Sequence, residues 1–142
     1  MCCWTTWTGS IVRNDDGLWH MFYTGRTHAD DGHIQRIVHA TSTDLITWEK
    51  TPDWVLQADD SWYEVLEDGV WTDVTWRDPW VFRGPDGLWW MWVTARHDHG
   101  DSHGRGTIGV ATSSDLLTWQ VQPPAAAPGS GFAQLEVLQS EI

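Results

Sequence analysis

Two stretches of this chain repeat each other. Residues 7–26 (WTGSIVRNDDGLWHMFYTGR) align with residues 77–96 (RDPWVFRGPDGLWWMWVTAR) at an offset of 70, with 8 of 20 positions identical. Residues 37–48 (IVHATSTDLITW) align with residues 108–119 (IGVATSSDLLTW) at an offset of 71, with 8 of 12 identical. A period this long within 142 residues means one supersecondary unit used twice. Neither copy can cover its own apolar surface, so each needs a neighbour. The length itself points to one domain.

Each unit reads as four strands. Ser10 to Arg13 is a short β-branched run, stopped by the hairpin signal Asn14-Asp15-Asp16-Gly17. Leu18 to Arg26 follows, with Trp19, Met21 and Tyr23 on one face and Phe22 on the other. In the second copy Trp89 to Val93 leaves neither face polar, the pattern of a sheet covered on both sides. Ile34 to Ala40 and Thr107 to Ala111 are the third strands. Ser42-Thr43-Asp44 and Ser113-Ser114-Asp115 are turns, and a fourth strand begins at Trp48 and at Trp119. The expected class is all-β, with β-propeller blades of four antiparallel strands. Blade-like repeats occupy 7–50 and 77–121, a connector fills 51–76, and the next blade starts within 132–142 with its first strand. The chain therefore reads as an internal piece of a longer propeller.

Composition narrows the partners. Eight Lys and Arg stand against 20 Asp and Glu, a net charge of −12. Such a surface repels phosphate backbones and acidic lipid, so neither nucleic acid nor a membrane is expected as a partner. No apolar run approaches the roughly 18 residues needed to cross a bilayer. Thirteen Trp supply both core and flat faces on which sugars stack. Cys2 and Cys3 are adjacent and offer no disulfide framework. No signal peptide pattern is visible, which fits a cytoplasmic location if Met1 is the true start.

The first strands carry the chemistry. Thr8 in the first unit is the counterpart of Asp78 in the second. Setting Glu136 opposite Asp78 keeps the following apolar positions in step, with Val137 against Pro79 and Leu138 against Trp80. First strands of propeller blades line the central channel, so the two carboxylates are expected to converge on one mouth. Cleavage of a glycosidic bond requires such a pair, one proton donor and one anionic partner.

Trp7-Thr8-Gly9-Ser10, Arg77-Asp78-Pro79, the two Ser-x-Asp-Leu-x-x-Trp segments (Ser42 to Trp48, Ser113 to Trp119) and Gln134-Leu135-Glu136-Val137 together resemble glycoside hydrolase family 32. Members are β-fructosidases of the invertase, levanase and inulinase type, built on a five-bladed propeller. The resemblance runs from Trp7 to about Val137. It implies that Asp78 is the transition-state stabiliser and Glu136 the general acid/base. It also implies that Arg77 orients the site and that Trp7, Ser10 and Trp76 contact substrate. A carbohydrate is the implied partner, with no cofactor, and self-association through open blade edges is expected of a partial propeller. Two departures stand out. Val137 replaces the Cys that usually follows the acid/base Glu, and the Asn-Asp-Pro-Asn-like strand of the family's nucleophile has no counterpart before Trp4. The 142 residues alone are therefore expected to be inactive. A non-catalytic carbohydrate-binding propeller and a sister enzyme acting on arabinosides or xylosides are the alternatives. His97, Asp98, His99, Asp101 and His103 fall in a hairpin loop and read as solvated rather than as a metal site.

Overall fold

A computed structural model describes residues 5–68 and 70–140, so Cys2, Cys3 and the last two residues of the expected third unit lie outside the described residues. Each copy of the repeat folds into its own four-stranded antiparallel sheet. β1 (Thr5–Arg13), β2 (Trp19–Arg26), β3 (Arg36–Ser42) and β4 (Glu49–Leu56) lie side by side in that order. β5 (Trp76–Arg83), β6 (Trp89–Arg96), β7 (Gly106–Ser113) and β8 (Trp119–Gln122) do the same. None of the described helices is long and apolar enough to cross a membrane.

The repeated residues make the same local bonds twice. In the first hairpin Asn14 N–H donates to the Leu18 carbonyl at 2.9 Å and Gly17 N–H to Asn14 at 3.0 Å. In the second, Gly84 donates to Leu88 at 2.8 Å and Gly87 to Gly84 at 3.0 Å. Gly17 and Gly87 sit at φ of 89° and 80°, a region that glycine enters without a Cβ clash. In the Ser-x-Asp-Leu turns, the Ser42 hydroxyl accepts from Asp44 and Leu45 N–H at 3.2 and 2.9 Å, and the Ser113 hydroxyl accepts from Asp115 and Leu116 at the same distances.

Several strand ends differ from the pattern: β2 starts at Trp19 rather than Leu18, and β3 runs Arg36–Ser42 rather than Ile34 to Ala40. β1 begins at Thr5 rather than Ser10, because Thr5 to Thr8 are all strand formers and Thr5 and Thr6 pair with Arg26 and Gly25 beyond a bulge. The connector shrinks correspondingly, since β4 continues to Leu56 and β5 already holds Trp76. Residues 132–140 form no strand, against the expected first strand of a third blade. A first strand takes its ladder from the second strand of its own blade, and no such neighbour lies beside it among the described residues.

The two sheets face each other across an apolar seam. His20, Phe22 and Thr24 of β2 are buried on this side, as are Val81 of β5 and Trp89, Met91 and Val93 of β6. The Phe22 ring meets Trp119 edge-on at 5.4 Å, and Trp54 Nε1–H donates to the Leu117 carbonyl at 2.8 Å. Polar stitches hold the inner end: Val81 N–H donates to the Ser10 hydroxyl at 3.0 Å and Asp78 N–H to Thr24 Oγ1 at 2.9 Å. The opposite faces remain open, so Trp19, Met21 and Tyr23 are only half-buried.

Candidate active site

Both first strands carry a bulge at the same point of the repeat, between Thr6 and Gly9 in β1 and between Arg77 and Trp80 in β5. A bulge re-aims the side chains beside it. Gly9 is required there, since a Cβ would lie 2.2 Å from the Phe22 carbonyl oxygen. In β5 the bulge puts Asp78 at φ 56°. Thr8 and Asp78, the repeat counterparts, end up lining one cavity of about 380 Å³ at the seam. Glu136 reaches the same cavity from the C-terminal segment, and Trp7 forms part of its wall. The Trp7 ring is 42% exposed, with the Arg26 guanidinium 5.0 Å from its centroid. That leaves a flat aromatic surface at the cavity edge.

Arg77 is the hub. Its side chain is buried, and it joins both carboxylates: Nε lies 3.6 Å from Asp78 Oδ2 and Nη2 lies 2.6 Å from Glu136 Oε1. Nη2 also donates to Gln134 Oε1, and Nη1 donates to Gln35 Oε1 at 2.9 Å. The two carboxylates differ in surroundings. Asp78 is buried, and burial pushes its carboxyl above the usual carboxylate range; Arg77 pulls it back down and the charge of Glu136 adds to the rise. The Glu136 side chain is 57% exposed at the mouth. One group is thus enclosed and held by Thr94 Oγ1, 3.4 Å from Oδ2, while the other is open to an incoming ligand and to water.

Of the residues singled out from sequence, Asp78, Glu136, Arg77 and Trp7 come together at this cavity. Ser10 and Trp76 do not. Ser10 is buried and spends its hydroxyl on Val81 N–H, a joint between the sheets rather than a ligand contact. Trp76 is fully buried in the core, 4.9 Å from the Tyr63 ring, because alternate residues of a strand point to opposite faces and Arg77 takes the cavity side. Gln35, Asp73 and Gln134 line the cavity and were not foreseen. Gln134 had a signal, since it lies two residues before Glu136, as on one face of an extended chain. Gln35 and Asp73 come from connecting segments with no periodicity to mark them.

His97, Asp98 and His99 each bring one donor atom within 4.8 Å of the others, the one such group among the described residues. His97 Nε2 is bonded to the Ala126 carbonyl at 2.7 Å, and His99 and Asp98 are exposed and bonded to each other. Asp101 accepts from His103 N–H at 3.0 Å and caps a short 3₁₀ turn.

The family model for the N-terminal domain of the glycosyl hydrolases family 32 matches residues 4–138. Among solved structures, fructan 1-exohydrolase IIa from Cichorium intybus superposes with a TM-score of 0.64 at 22% identity, covering 88% of this chain and 22% of that one. A thermostable family-43 glycoside hydrolase gives 0.60 at 17% identity, covering 83% and 37%. A further glycoside hydrolase gives 0.56 at 19% identity, covering 88% and 33%. The chain spans between about a fifth and two-fifths of the length of these structures. At these identities the likeness is one of fold. No curated protein matches the chain.

Proposed function

Because the chain belongs to glycosyl hydrolases family 32, matched over residues 4–138, we propose that it is part of a β-fructosidase that works by retaining double displacement. The observation that carries this reading is the joint placement of Asp78 and Glu136 at one cavity, with Arg77 bonded between them. In this reading the fructosyl ring sits over Trp7 and its hydroxyls bind Asp78. Glu136, at the open side, gives its proton to the leaving oxygen as the glycosidic bond breaks. The same group then takes a proton from the water that releases the sugar.

Double displacement also needs a carboxylate that attacks the anomeric carbon from the face opposite the acid. Asp73 is the third carboxylate at the cavity, but it is a poor nucleophile. Its Oδ2 accepts from Gln35 Nε2 at 3.1 Å, and its Oδ1 is shut away from solvent. The attacking group is therefore assigned to a segment outside these 142 residues. Hydrolysis of sucrose, inulin and an aryl fructoside tests the proposal. The longer protein should turn over, and the 142 residues alone should not. Glu136→Gln should lower turnover of the aryl fructoside by about 10²- to 10⁴-fold while leaving sugar binding nearly intact. Equal turnover by wild type and Glu136→Gln would remove Glu136 from the mechanism. Aryl arabinofuranoside and aryl xyloside run alongside separate the sister chemistry, and binding without any turnover marks a carbohydrate-binding propeller.

A further inference from the structure

From Arg77 Nη1 a short run of hydrogen bonds leads to Gln35 and on to Asp73. Gln35, just before β3, is almost fully buried at 1% exposure. Its Oε1 accepts from Arg77 Nη1 at 2.9 Å, and its Nε2 donates to Asp73 Oδ2 at 3.1 Å. An arginine only donates and a carboxylate only accepts, whereas an amide does both. Gln35 lies between the two kinds of partner, so its amide can face only one way. Turning it over would set donor against donor at Arg77 and acceptor against acceptor at Asp73.

We propose that Gln35 and Asp73 are positioning residues for the acid/base group: Asp73 fixes the direction of the Gln35 amide, Gln35 fixes the Arg77 fork, and the fork holds Glu136. The proposal deepens the glycosidase reading and rests on it. A guanidinium is planar and rigid, so pinning Nη1 decides where Nη2 points. Nη2 carries Glu136 Oε1 at 2.6 Å, and the Glu136 side chain is otherwise largely in solvent. Asp73 also accounts for a cost. Its Oδ1 is buried without a partner, which is unfavourable for a carboxylate oxygen. The other oxygen supplies the orientation that this cost maintains.

The test reads Arg77 directly, in the 142-residue chain, through the ¹⁵N relaxation of its Nε–Hε group, with the wild-type chain as reference. Kinetics of the longer protein on an aryl fructoside run beside it. Gln35→Ala and Asp73→Ala should make the Arg77 Nε–Hε group clearly more mobile than in wild type. They should lower kcat by up to about 100-fold, as misplacement of a reacting group does, with KM changed far less. Asp73→Asn keeps an acceptor for Gln35 and should restore both. An Arg77 signal unchanged in Gln35→Ala and Asp73→Ala overturns the proposal, including where melting temperature falls, since that would be a purely structural role. So does an Asp73→Asn variant as impaired as Asp73→Ala, which would make the charge rather than the orientation decisive. Loosened Arg77 with Asn rescue, in a protein that turns over no fructoside even as wild type, supports the positioning arrangement and sinks the β-fructosidase reading instead.

Discussion

Asp78 is held in a backbone region that costs about 1–3 kcal/mol for most residues, though Asp and Asn enter it more readily than others. Its φ of 56° comes with a buried carboxyl whose titration is pushed upward, first by burial and further by Glu136, against the pull of Arg77. The raised value makes the stability contribution of Asp78 complete below the unfolded carboxylate value and progressively lost as pH rises through the folded one. Asp78→Asn stays neutral and tolerates the same backbone angle. Its melting temperature should therefore exceed that of wild type at pH 7, with the gap closing at pH 4, while turnover falls; thermal melts at the two pH values check this. That Asp78, Arg77 and Glu136 meet at one cavity was legible because the repeat aligned Glu136 with Asp78 and the Arg-Asp-Pro run placed Arg77 beside it. Trp76 stands next to Arg77 yet lies away from the cavity, because neighbours in a strand point to opposite faces. Ser10 lies away from it for another reason: its hydroxyl serves Val81, 71 residues away, and that joint exists only once the sheets have met.

At the level of elements, the two Ser-x-Asp-Leu turns are local twins with unequal surroundings. Leu45 and Leu116 both sit at positive φ, 64° and 66°, yet Leu45 is 45% exposed and Leu116 is fully buried in the core. The difference arises because β4 of the first sheet, through Trp54, covers the second turn and nothing described covers the first. Leu116→Ala should cost about 2–5 kcal/mol in urea unfolding, and Leu45→Ala should stay within about 0.5 kcal/mol. A second consequence belongs to β2 and β3. His39 stacks on Phe22 at 4.7 Å, shares a 2.9 Å contact with His20 Nδ1 and bonds Thr51 through Nδ1 at 2.7 Å. Burial, and then the charge of His20, bring its imidazole down from 6.5 to about 4. A depressed imidazole stays neutral in the fold but binds a proton when unfolded. Stability is thus full above the unfolded value and falls as pH drops toward 4. Melting temperature should decline over that window in wild type and decline less in His39→Gln. The turns and hairpins were readable because their bonds are made within a few residues. Strand ends were not, since they depend on how far the neighbouring strand continues.

For the whole molecule, the repeat supplies its own measure of what is exposed. Val81, Met91 and Val93 of the second sheet are at most 3% exposed against the first sheet. Their counterparts Ile11, Met21 and Tyr23 lie on the first sheet's outer face, where Ile11 is 47% exposed and the other two are half-buried. The face of the second sheet that points away carries Trp90 and Trp92, also half-buried. Apolar faces of this kind fit a further sheet, and two copies of the chain can offer them head to tail. Sedimentation velocity should show concentration-dependent association that Met21→Lys reduces; a single monomeric species at every concentration would contradict it. The pairing of blades was legible from the seventy-residue period, because a repeat must stack. The meeting of Gln35, Asp73, Arg77 and Glu136 was not, because it is a property of the joined halves.

Arg77 draws its partners from before β3, from its own strand and from the C-terminal segment. Neither half of the chain holds the full set. A ligand that occupies the cavity is consequently a clasp, rewarding the docked arrangement and ignoring the parted one. Were the polypeptide nicked between the halves, sugar would favour their reunion, and recovery of binding would report that the fragments had found each other.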